Sequence, residues 1–94
     1  MKRGVLDKRR LPSPAQYYRQ QRIQLRGSGI WRTALCPLHD DQNPSLSVNI
    51  ETGGYKCFGC GESGGDVIDF HRAKHGYSFL EAIVDLDACE VSND

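Results

Sequence analysis

Four residues carry the clearest chemical meaning: Cys36 and His39 in "CPLH", and Cys57 and Cys60 in "CFGC". Two residues separate the members of each pair, and seventeen lie between the pairs. Two such knuckles joined by a strand-length connection form the pattern of a tetrahedral zinc ribbon. Three thiolates and one imidazole suit a closed structural site for one Zn2+, with no open position for water. Gly59 and Gly61 supply the backbone freedom a tight ligand turn needs. The competing reading is a redox Cys-x-x-Cys, but that motif usually opens a helix in a βαβ unit, and here glycines follow instead. Cys89 stands alone on the expected last helix, where a small core residue accounts for it. His71 and His75 are four apart on an expected helix, without an evident third ligand. A solvated or packed helix face explains them better than a second metal.

The ligands need elements to hold them. Ser13-Pro14 is an N-cap and N1 pair, which predicts a short helix over "SPAQYYRQQR". "IQLR-GSG-IWRTAL" alternates apolar and polar residues about a glycine turn and predicts a hairpin at 23–35. "LSVNI" (46–50) and "GYKCF" (54–58) predict two further strands joined by a turn at "ETGG". After the second knuckle, Gly64 and Gly65 let the chain turn away sharply. Gly65→Val should therefore disturb folding more than His75→Ala. Asp66 then caps a helix over about 67–75, stopped by Gly76. Ser78 and Glu81 make a capping box for a last helix burying Phe79, Leu80, Ile83, Val84 and Leu86. The fold class is a small α+β zinc ribbon: an antiparallel sheet with a Cys3His site, flanked by short helices. Residues 1–12 read as a basic flexible arm, 13–90 as the zinc-binding domain, and 91–94 as a frayed tail.

A chain of 94 residues holds one small domain with a modest core, so a bound metal would supply folding energy the core lacks. No apolar run approaches a membrane span, and the basic start lacks the apolar stretch of a secretory signal. The expected compartment is the cytoplasm, where thiols stay reduced and bind metal. Net charge is zero, yet residues 1–32 carry nine Lys/Arg against Asp7 alone, while residues 33–94 carry three against eleven acids. Such a split suggests a basic surface for a polyanion, or else a solvated basic tail.

The stretch "CPLHDDQNPSLSVNIETGGYKCFGCGESGGDVIDF" (36–70) resembles the zinc-binding domain of bacterial and phage DnaG-type DNA primases. Its order of elements is C-P-x-H, P-S, a strand, C-F-G-C-G and G-G-D-x-I-x-F. The resemblance extends loosely over 23–88. It implies Cys36, His39, Cys57 and Cys60 as ligands, and a role in contacting single-stranded template DNA, choosing the start site and assisting primer initiation. It implies a basic and aromatic sheet face, for which Arg26, Trp31, Arg32, Tyr55, Lys56 and Phe58 are the candidates. Adjacent strand residues face opposite ways, so at most one of Trp31/Arg32 and one of Tyr55/Lys56 can share a face. Gln42 and Asn43 stand where the family often has Lys-Thr, Leu46 where it has Phe, and the segment before the first strand is shorter and more basic. The acidic cluster of a polymerase core is not evident, so the expectation is a non-catalytic, monomeric module acting in trans with a primase catalytic subunit or replicative helicase. The alternative is a protein-docking module in a replication or mobile-element complex, its zinc purely structural. If the cations of the basic segment and Lys56 share one sheet face, DNA is favoured; if they scatter, docking is.

Overall fold

The computed structural model describes residues 2–38 and 42–93. Its centre is an antiparallel sheet in the order β2 (Trp31–Ala34), β3 (Leu46–Asn49), β4 (Tyr55–Cys57), β5 (Ser63–Gly64). Ala34, Leu46 and Cys57 lie side by side across three strands, as do Arg32, Val48, Tyr55 and Gly64 across four. Since opposed residues share a face, these two rows form the inner side of the sheet. The outer side carries Thr33, Ser47, Lys56 and Ser63 in one row and Trp31 with Asn49 in the next.

Helices α1 (Pro14–Gln20) and α2 (Val67–His75) supply the apolar layer beneath. Tyr17, Tyr18, Val67 and Phe70 are buried with Leu46, Val48 and Tyr55. Phe70 meets Tyr17, Tyr18 and Tyr55 edge to face at 6.1, 5.0 and 4.9 Å. That geometry aligns positive ring edges with negative faces. The Tyr18 hydroxyl donates to the Gly53 carbonyl (2.8 Å), so its buried oxygen is satisfied. A smaller cluster of Ile68, Ala82 and Ile83 joins α2 to α3 (Phe79–Asp85).

The helix signals act locally, and the helices begin and end where they predict. The Ser13 hydroxyl accepts from the Gln16 N–H, the Asp66 carboxylate from the Asp69 N–H, and Gly76 closes α2 at φ 70°. Ser78 and Glu81 form the reciprocal capping box.

Five expectations are corrected. The first arm of the 23–35 hairpin contracts to one bridge, with Arg26 and Thr33 exchanging backbone hydrogen bonds of 2.7 and 3.0 Å. Ile23 is drawn into the core and the chain reaches β2 only at Arg26. On α3, Phe79, Leu80 and Val84 are exposed, at 46%, 50% and 56%, while Ala82 and Ile83 are buried. The partner surface is small, and the apolar stripe is wider than it can cover. Cys89 lies on a strand, not on the last helix: Asp87, at φ 57°, reverses the chain and β6 (Cys89–Asn93) follows. The supposed loose arm carries β1 (Lys2–Leu6), antiparallel to β6 from Lys2↔Asn93 to Leu6↔Cys89, and then a 3-10 turn at Lys8–Arg10. Val91–Asn93, expected to fray, belongs to that ribbon. Its partner strands lie too far apart in sequence for local composition to reveal them.

Candidate metal centre and nucleic-acid interface

The sheet register converges the sulfur ligands. Cys36 follows β2 by two residues, Cys57 ends β4, and Cys60 lies three residues on. The three sulfurs all lie within 4.8 Å of one another, with Cys36 and Cys57 buried and Cys60 exposed. A tetrahedral zinc with Zn–S of ~2.3 Å sets its sulfurs roughly 3.8 Å apart, so this spacing fits a shared ion. His39 lies outside the described residues. The second knuckle closes by a bond from the Gly61 N–H to the Cys57 carbonyl (2.9 Å), with Gly61 at φ 82°. Gly59 does not adopt a positive φ, so Gly61 alone of the expected pair makes that demand.

The electrostatics favour a cation. Burial pushes the Cys36 thiol up to about 12. Burial acts upward on Cys57 too, but Ser45, the backbone N–H groups of Cys60 and Gly59, and the Cys60 thiol together draw it down to about 6. Ser45 Oγ and the Cys60 N–H both stand 3.4 Å from Cys57 Sγ. Three adjacent thiols cannot all ionise without a positive charge among them, and a divalent ion supplies it. Ser45, the Ser of the Pro-Ser element, received no role from its sequence position alone.

The outer sheet face sorts the six candidate contact residues. Trp31 (57% exposed), Lys56 and Phe58 (72% exposed) are open to solvent, and Arg26 stands opposite Thr33 on the same side. Lys56 Nζ lies 5.3 Å from the centre of the Phe58 ring, within cation–π range. Arg32 and Tyr55 fall on the inner rows. Tyr55 is buried against Phe70 and has no ring face to offer a base, which corrects its assignment as a contact residue. Arg32 is half-buried at the edge strand, its Nε–H donating to the Gly29 carbonyl (3.1 Å).

The charge criterion gives a divided answer. Arg26 shares the outer face with Lys56, whereas Arg9 and Arg10 pair with Asp7. Both ring nitrogens of His71 are engaged by side chains of the fold. It is buried in α2, its Nδ1 hydrogen-bonded with the Tyr17 hydroxyl (2.8 Å) and its Nε2 donating to the Asp85 carboxylate (2.5 Å). Those partners sit on two other helices, and nothing in the local pattern around His71 points to them.

The family model described as the CHC2 zinc finger, the DnaG-type zinc ribbon, matches residues 17–92. The chain belongs to this family. It is 45% identical over 64 residues to a DNA primase of Chlamydia trachomatis, covering 68% of this chain and 11% of that protein. A DNA primase of Helicobacter pylori is 47% identical over 64 residues, with the same coverage on both sides. Among solved structures, the zinc-binding and RNA polymerase domains of the Aquifex aeolicus primase match with a TM-score of 0.66 and 32% identity. That match covers 83% of this chain and 19% of the Aquifex chain. The chain thus spans about a tenth of the length of the curated relatives it matches. It is a zinc-binding domain of primase type, on a small α+β fold. Among the described residues, no helix is long and apolar enough to cross a membrane.

Proposed function

We propose that this chain is a non-catalytic, single-stranded-DNA-binding module that assists template recognition and primer initiation in DNA replication. It acts in the cytoplasm as a monomer, in trans with a separate primase catalytic subunit or replicative helicase. One structural Zn2+, held by Cys36, His39, Cys57 and Cys60, orders the sheet and takes no part in chemistry. The observation that carries the reading is the outer face itself. Trp31 and Phe58 are large aromatics left open to solvent, with Lys56 and Arg26 on the same side. Aromatic faces stack bases of any sequence, and the cations neutralise phosphates. The reading leaves nucleotide joining to a separate domain, in keeping with the Aquifex aeolicus primase, which has an RNA polymerase domain beside its zinc-binding one.

Fluorescence anisotropy of zinc-loaded protein with labelled single-stranded and duplex oligonucleotides, across a salt series, tests this. Single-strand preference is expected, with Trp31→Ala costing ~1–3 kcal/mol of binding. Lys56→Ala should reduce the salt slope by about 0.7. Absence of binding at low salt would remove the template reading. A docking module would then be favoured by the exposed Phe79, Leu80 and Val84 of α3, a surface of the kind that partner proteins cover.

A further inference from the structure

Two hollows flank the segment Ile23–Gln24, just past the end of α1. One, of about 290 Å³, has Gln21, Arg22, Arg26 and Leu35 in its wall. The other, of about 230 Å³, has Arg19, Leu25 and Arg32. Each therefore presents two arginines, and no acidic residue lines either among the described residues. The other hollows that carry cations behave differently: they mix them with Glu62, Asp69, Asp85 or Asp87. None of Arg19, Arg22, Arg26 and Arg32 forms an ion pair among the described residues. Arg32 gives its Nε–H to the Gly29 carbonyl (3.1 Å), and without a counter-charge the remaining guanidinium donors stay available to an anion.

A second observation concerns the backbone. Helix α1 ends in a Schellman motif, with the Arg22 N–H bonded to the Arg19 carbonyl (2.9 Å) and the Ile23 N–H to the Tyr18 carbonyl (3.0 Å). The motif needs a left-handed residue, and that residue is Arg22, at φ 61°. Glycine is the residue that fits there without strain, and Gly76 holds the corresponding left-handed position at the end of α2. At the end of α1 an arginine takes the strained position, and its side chain lines the larger hollow.

We propose that the paired hollows form a phosphate-binding site, suited to a phosphate chain. The chain would come from the triphosphate of a nucleotide or from successive phosphates of a nucleic-acid strand. Arginine forks match phosphate oxygens two at a time, and the apolar wall of Ile23, Leu25 and Leu35 offers a surface for a base or sugar. Arg26 belongs to both the hollow and the outer sheet face, so a strand lying on the sheet has a path into the site.

Calorimetric titration of zinc-loaded protein with ATP and, separately, with oligodeoxythymidine tests the site against Arg22→Gly. That variant relieves the strained position, so its melting temperature should hold or rise while ATP binding weakens about tenfold, the worth of a charge-assisted contact. Trp31→Ala should leave ATP binding within about twofold, which separates this site from the sheet face. If only the oligonucleotide binds, and Arg22→Gly weakens it and flattens its salt slope, the phosphates are those of a strand. If Arg22→Gly changes neither ligand's affinity, or neither ligand binds, the proposal falls.

Discussion

The two ends of the four-stranded sheet are held by different forces. At one end, the row Ala34, Leu46 and Cys57 runs into the sulfur cluster, where the second knuckle is mostly exposed. At the other, Val48, Tyr55 and Gly64 rest on a stack of aromatic edges around Phe70. A small domain of this kind is expected to divide its stabilisation between a metal and a compact apolar layer. The sulfur cluster and the aromatic stack both lie toward the inner face, while Trp31, Lys56 and Phe58 stand open to solvent on the outer one.

Removing the metal should break the comparison most severely. Structural zinc sites contribute ~10–16 kcal/mol, at or above the ~5–15 kcal/mol of typical domain stability. Chelation, or Cys57→Ser, should abolish the cooperative thermal transition seen by circular dichroism. A chelated protein that melts as before would show that the aromatic end holds the fold unaided. Phe70→Ala should come next, costing about 3–5 kcal/mol in denaturant unfolding. Zinc should still bind this variant, which a metal-indicator titration would report.

Gly64→Val probes the seam between the two ends. A Cβ at Gly64 would stand 2.6 Å from Asp69 Cβ and 2.7 Å from Tyr55 Cε1, so a loss of about 1–3 kcal/mol is expected. Gly65 meets only Asp69 Oδ2, at 3.8 Å, so Gly65→Val should be the milder change. Equal melting temperatures for the two would contradict the packing seen at Gly64. The smallest effect belongs to α3, remote from both ends. The Ser78 backbone N–H and hydroxyl hold the Glu81 carboxyl below its ordinary value of 4.5. A lowered folded-state value means the cap contributes fully above 4.5 and is lost as acid protonates Glu81 below it. Amide exchange at Ser78 should accelerate over that acidic window and stay unchanged in Glu81→Gln.

Much of this was legible in the sequence where the signal is local. Asp66, Gly76, Ser78 and Glu81 announce helix ends because each cap acts within four residues. The spacing of Cys36, Cys57 and Cys60 announces the cluster because ligand turns are equally short-ranged. The failures share the opposite property. Nothing near Lys2 signals pairing with Asn93, and nothing near His71 signals Tyr17 or Asp85. The sequence named Gly64 and Gly65 together without ranking them, and the chain packs tightly at Gly64, because which neighbour meets the Tyr55 ring depends on strand register. Phe79, Leu80 and Val84 fit a buried helical stripe, but periodicity measures amphipathicity and not the area available to cover it.

The ribbon of β1 and β6 has a consequence for the order of folding. Its strands are more than eighty residues apart along the chain, so joining them early would sacrifice the entropy of a very large loop. Once the sheet and helices have formed, the intervening chain is already compact and that loop has largely been closed. The ribbon should therefore assemble last and open first. Its exchange with solvent would report on breathing of the domain long before the zinc cluster or the Phe70 stack responds.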